Sequence, residues 1–134
     1  PRSMQTKPSY DDVVLEVAEF LKKRRSEAEE LGIGRECIVF DPGIGFGKRL
    51  EHNLALMTRV RELVELGSPI LIGASRKSFL RDLAGIDDAK DRLPGSLAAA
   101  VMTRMGGASI FRVHDVAATK QALAVADAGL NSQI

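Results

Sequence analysis

A chain that ends a four-residue apolar run with an acid, a proline and three spaced glycines has few folds open to it. Cys37-Ile38-Val39-Phe40 reads as a strand, Asp41 stops it, and Pro42-Gly43-Ile44-Gly45-Phe46-Gly47-Lys48 follows before the next helical pattern. A short apolar run covered on both faces is typical of a parallel α/β sheet. In such sheets the groups that bind and react stand at the carboxyl ends of the strands. Two later stretches repeat the design. Pro69-Ile70-Leu71-Ile72-Gly73 runs into Ala74-Ser75-Arg76-Lys77, and Ser109-Ile110-Phe111 runs into Arg112-Val113-His114-Asp115. Three strands that end in polar, chargeable groups point to one shared site.

The rest of the chain supplies what such a sheet needs. Ser9 and Asp12 have capping-box spacing and open a helix over about 11–31, with Val13, Val14, Val17, Phe20, Leu21, Ala28 and Leu31 as its apolar stripe and Gly32 as its stop. Its Lys22-Lys23-Arg24-Arg25 run stands among Glu19, Glu27, Glu29 and Glu30, so it reads as a self-compensated solvent face. A second helix is expected over about 51–66, its face marked by Leu54, Met57, Val60, Leu63 and Val64, with Gly67 ending it. After the strand at 70–72 comes a long polar connection holding a short apolar piece, Phe79-Leu80, and a charged, exposed run from Asp87 to Arg92. An alanine-rich helix over about 96–105 ends at Gly106-Gly107. The last strand, 109–113, leads to a helix over about 117–128 that Asp115 caps and Gly129 closes.

Strand starts about 32 and 40 residues apart match βαβ units with right-handed crossovers and a parallel sheet. Residues 1–134 make one domain with a core. Three apolar strands leave two open edges, and the first helix has no strand ahead of it. The expectation is a portion of something larger. Hydrophobic content of 45% and charged content of 28% exclude disorder, and a net charge of +1 gives no reason to expect nucleic acid. No apolar stretch approaches the ~20 residues of a membrane span, and no signal peptide precedes the first helix. The single cysteine, Cys37, suits a reducing cytoplasmic setting and reads as a small core residue.

The glycine loop is not a nucleotide motif. A P-loop requires glycine where Pro42 stands and Ser or Thr where Arg49 stands, and a dinucleotide fingerprint requires glycine at Lys48. Asp41 carries more information. A carboxylate at a strand end can accept two parallel N–H bonds from an aminopyrimidine-like ring and so fix a planar heterocycle. Ser75-Arg76-Lys77 sets a hydroxyl and two cations side by side. Arg112 and His114, two apart on a strand, can aim a guanidinium and an imidazole at one anion. His52 reads as an exposed helix residue, and no His/Cys/Asp spacing suits a metal.

These segments resemble dihydropteroate synthases. Asp41-Pro42-Gly43-Ile44-Gly45-Phe46-Gly47-Lys48 is similar to the family's D-P-G-x-G-F-G-K segment, Gly73-Ala74-Ser75-Arg76-Lys77-Ser78 to G-x-S-R-K-S, and Arg112-Val113-His114-Asp115 to R-V-H-D. Arg92-Leu93-Pro94-Gly95-Ser96-Leu97 resembles R-L-x-G-S-L, and Met4-Gln5 resembles the end of a fifth-loop motif. The resemblance runs along the whole chain but covers only the C-terminal half of the family. It implies the C-terminal part of a (β/α)8 TIM barrel, a fold of ~250 residues: the fifth helix plus the last three βα units.

The resemblance also implies a transferase of folate biosynthesis. Such an enzyme condenses 6-hydroxymethyl-7,8-dihydropterin pyrophosphate with p-aminobenzoate to give dihydropteroate and pyrophosphate. By motif, Asp41 and Lys77 hold the pterin, while Gly45 and Phe46 shape the site near the aminobenzoate. Ser75 and Arg76 meet the aminobenzoate, Arg112 and His114 bind the pyrophosphate, and Lys77, Arg112 and His114 are the catalytic set. It further implies Mg²⁺ held from the N-terminal half, a cytoplasmic homodimer, and a 134-residue chain inactive alone. Two competitors stand beside it: a pterin-binding methyltetrahydrofolate methyltransferase, against which Ser75-Arg76-Lys77 argues, and a non-catalytic pterin-binding or interaction module.

Overall fold

A computed structural model describes residues 9–132; Met4 and Gln5 lie outside the described residues. Helix α1 (Val13–Glu30) begins at Asp12, whose carboxylate accepts from the amides of Val14 and Leu15. Asp12 is thus the N-cap itself, and not the third residue of a box opened by Ser9. An acid is the better cap because it also meets the positive end of the helix dipole. Val13, Val14, Val17 and Leu21 are buried as expected, whereas Phe20 and Leu31 are 60% and 84% exposed. Within the run Lys22–Arg25, Lys23 and Arg24 pair with Glu27, while Arg25 turns inward to the Leu66 carbonyl at 2.7 Å and lies over the Phe40 ring.

The expected first strand is reduced to its last residue. Arg35–Cys37 form a 3-10 turn, and Phe40 alone bridges Ile70 in parallel. Cys37 is exposed rather than a core residue, and Val39 is 44% exposed. The reason is pairing. A strand needs a neighbour to hold its ladder, and only Phe40 has one: its amide donates to the Pro69 carbonyl and its own carbonyl accepts from Leu71. Strands β1 (Leu71–Ile72) and β2 (Ile110–Phe111) pair in parallel with Leu71 opposite Ile110 and Ile72 opposite Phe111. Ile70 and Ile72, two apart and therefore on one face, are each 1% exposed. The opposite face is more open, contrary to the expectation of cover on both sides.

The single helix expected over about 51–66 is two, α2 (Leu50–Thr58) and α3 (Val60–Val64). They meet at Arg59, whose guanidinium reaches both oxygens of Asp12 at 3.0 Å and both oxygens of Glu62. The apolar period runs through the break, so periodicity could not reveal it. Phe79-Leu80 is no isolated apolar piece but the buried face of a short helix, α4 (Ser78–Ala84), ended by Gly85 in the left-handed region. Helix α5 (Leu93–Met105) follows, and α6 (Val116–Asn131) ends the described chain. Gly129 does not close α6, and Asp115 at its start makes no side-chain cap. Helices α1, α2 with α3, α5 and α6 stand side by side in that order. The core lies between helices α1 to α5 and the strands. Each Val, Leu or Ile side chain fully buried there contributes ~1.5–3 kcal/mol. No helix among the described residues is long and apolar enough to cross a membrane.

Candidate active site

Because the strand ends at Phe40, β1 and β2 lie side by side, the loops after them face one another. Asp41 is held from two sides. One oxygen accepts from the Gly43 amide at 2.9 Å, and the other lies 3.0 Å from the Arg112 guanidinium. That guanidinium rests against the Gly73 backbone, where a Cβ would come within 2.6 Å of it. The Asp41–Arg112 side chains are 33% and 58% exposed. A pair so open to water stabilises the fold by only ~0–1 kcal/mol, so a ligand can rearrange it at little cost.

The glycine loop is braced from within. The Lys48 ammonium donates to the Gly43 and Phe46 carbonyls at 3.0 and 3.1 Å. The Gly45 amide donates to the Asn53 side-chain oxygen at 2.7 Å, and the Asn53 amide donates on to the Arg49 carbonyl. Gly45 has φ of +79°, and any Cβ there would meet the Lys77 side chain at 2.8 Å. Lys77 closes the loop from above: its ammonium donates to the Ile44 carbonyl at 2.8 Å and stands 3.6 Å from the centre of the exposed Phe46 ring. Desolvation, then the nearby Arg112 charge, holds Lys77 below the ordinary lysine value, and Asp41 offsets part of that. Burial likewise lowers Lys48.

Ser75 and His114 meet across the same gap. The Ser75 hydroxyl accepts from the His114 amide at 3.2 Å and lies 3.1 Å from His114 Nδ1. A neutral imidazole that accepts there carries its proton on Nε2, the other ring nitrogen. Arg76 points elsewhere, making two bonds to Asp115, Nε at 3.0 Å and Nη2 at 2.6 Å. His52 is not the exposed helix residue expected. Its Nδ1 accepts from the Arg49 amide and its ring packs edge-on against Tyr10.

The Arg76–Asp115 pair makes a pH prediction. Arg76 holds the Asp115 carboxyl below its ordinary value of 3.8. A carboxylate favoured in the fold adds stability that is present above its unfolded pKa and lost as pH falls through the lower folded one. Asp115→Asn is therefore expected to melt below the parent at neutral pH, with the gap closing in acid. Thermal melts of both proteins from about pH 7 to about pH 2 check this; a gap constant across that range would refute the linkage.

The site thus gathers Asp41, Phe46, Ser75, Lys77, Arg112 and His114 at the ends of adjacent parallel strands. The model of pterin-binding enzymes matches residues 1–114. The chain belongs to the pterin-binding enzyme family. The dihydropteroate synthase of Neisseria meningitidis serogroup B is 50% identical over 135 residues, covering 98% of this chain and 47% of that protein. Among solved structures, Yersinia pestis dihydropteroate synthase in complex with a sulfonamide drug superposes with a TM-score of 0.95 at 37% identity, over 98% of this chain and 47% of the other. The Xanthomonas albilineans enzyme in complex with 7,8-dihydropteroate gives 0.90 at 44% identity, over 92% and 47%. The chain spans about half the length of these relatives. Its architecture is accordingly that of part of an α/β barrel.

Sequence reasoning passed over Asn53, Arg92 and Ser96 as site supports. Asn53, 2% exposed, carried a signal in retrospect: a polar residue on the buried stripe of α2. Arg92 was expected in an exposed charged run. It is instead 7% exposed and wrapped by backbone carbonyls.

Proposed function

We propose that the chain supplies the half of a dihydropteroate synthase site that holds the pterin ring edge, the aminobenzoate and the leaving pyrophosphate. The observation that carries this reading is the acid Asp41, set among Lys77, Arg112 and the Ser75–His114 pair at adjacent strand ends. Asp41 suits the paired N–H donors of a pterin, and Lys77 flanks the same ring. Phe46 and Ser75, with Arg76 behind them, form the aminobenzoate side, near Gly45. Arg112 and His114 take the pyrophosphate. In the reaction the arylamine nitrogen bonds to the pterin methylene, the carbon–oxygen bond to pyrophosphate breaks, and the nitrogen releases a proton to water. Fixed cations that meet the growing charge of the leaving group lower the barrier electrostatically. The 7,8-dihydropteroate bound by the Xanthomonas relative supports this choice of product.

Mg²⁺, implied by resemblance, finds no fitting set here: among the described residues no group of three or more His, Cys, Asp or Glu could hold a metal ion. A cytoplasmic homodimer belongs to the same reading, and Met102, Met105, Val116 and Val125 are exposed apolar residues on α5 and α6 that assembly would cover. The test is turnover by the protein as its gene encodes it, supplied with pterin pyrophosphate and p-aminobenzoate. Dihydropteroate and pyrophosphate should appear in equal amounts. Binding of methylated folate without that turnover would favour the methyltransferase reading, and pterin binding with neither activity would favour the non-catalytic one.

A further inference from the structure

Arg76 is the only non-glycine residue with positive φ among the described residues, at +57°. A side-chain-bearing residue in that region persists only where its surroundings over-determine it. They do so here from one direction. The Arg76 amide donates to the Ser96 hydroxyl at 2.9 Å, and its carbonyl accepts from Arg92 Nη1 at 3.0 Å. Ser96 in turn donates to the Arg92 carbonyl at 2.8 Å. Arg92 also donates to the Ile86 and Asp87 carbonyls, so each arm of its fork ends on backbone. Both residues are buried, at 7% and 6%. A guanidinium taken from water is costly unless its donors are matched, and its match here is three backbone carbonyls, one of which, that of Arg76, belongs to the turn that carries Ser75 and Lys77.

We infer that Arg92 and Ser96 are positioning residues for the Ser75–Arg76–Lys77 turn, acting on the aminobenzoate end of the site; this rests on the function proposed above. By fixing both backbone polar groups of Arg76, they send Ser75 toward His114 and Lys77 toward the glycine loop. The run Arg92-Leu93-Pro94-Gly95-Ser96 so acquires a role: the first turn of α5 is a clamp on the preceding loop. Ser75 is otherwise held through its hydroxyl by His114 across the gap, at 3.2 Å from the amide and 3.1 Å from Nδ1, whereas Lys77 keeps a shorter bond of 2.8 Å to Ile44 and Asp41 stands on another strand.

The experiment compares Ser96→Ala and Arg92→Met with the parent, each as the full protein its gene encodes. Misplacing a substrate contact by the order of 1 Å can cost ~10²-fold. Each variant should raise the KM for p-aminobenzoate about tenfold or more, while the Kd for pterin pyrophosphate moves less than about threefold. Hydrogen exchange at the Arg76 amide should accelerate in Ser96→Ala. Proportional losses toward both substrates would mark a merely structural role and overturn the inference, as would unchanged kinetics. If Arg92→Met does not fold, Ser96→Ala decides alone. A parent without synthase turnover would sink the functional reading instead, and Arg76 amide exchange would then decide the clamp, unchanged protection overturning it.

Discussion

Arg112→Ala is expected to cut turnover by about 10²–10³-fold, the loss that follows removal of one strong donor from a developing anion. Arg112 stands at the end of β2, its amide donating to the Ile72 carbonyl, so the backbone that carries it is part of the parallel ladder. Its side chain is 58% exposed and bonded to Asp41, so little of the fold depends on it. The variant should melt close to the parent. Pyrophosphate gains charge as its bond to the pterin methylene breaks, so the missing fork is felt more in the transition state than in the ground state. His114→Ala should lose less, because an imidazole offers the anion fewer donors than a guanidinium fork. Steady-state kinetics with each substrate varied in turn check both. A rise only in the KM for p-aminobenzoate, with turnover intact, would place Arg112 at the wrong end of the site.

What could be read from the sequence divides along a physical line. Asp41, Ser75, Lys77, Arg112 and His114 follow apolar runs, and a strand end is a local feature visible in a dozen residues. The supports were hidden because their partners are distant in the chain. Arg92 looked like solvent-facing charge until Arg76, 16 residues earlier, proved to offer it a carbonyl. Asn53 gained meaning from the Gly45 amide, eight residues away. The same limit explains the errors in the elements. Cys37–Val39 have strand composition but no neighbour to pair with. Gly129 has the residue type of a helix stop, yet α6 continues through it, since one glycine costs a helix only ~1 kcal/mol. Asp115 had the place of a cap, but Arg76 offered its carboxylate two charge-assisted bonds.

Asp41→Asn tests the other end of the site. The substitution keeps volume and shape, and an amide oxygen can still accept from Gly43 as the carboxylate does at 2.9 Å. The second oxygen becomes an NH2 group that faces the Arg112 guanidinium, donor against donor. It would face the N–H edge of a pterin in the same way. A lost charge-assisted pair and an unmatched donor together cost ~2–4 kcal/mol of pterin affinity, or about 30-fold to 10³-fold in Kd. The pair is exposed, so its loss alone should change the melting temperature little. The freed Arg112 remains available to the pyrophosphate, and affinity for pyrophosphate alone should hold or rise. Two titrations, one with pterin pyrophosphate and one with pyrophosphate, separate these effects. Unchanged affinity for the pterin compound would make Asp41 a loop residue that merely caps Gly43 and pairs with Arg112. A parallel fall for both ligands would mean that the substitution disturbs Arg112 rather than the ring contact.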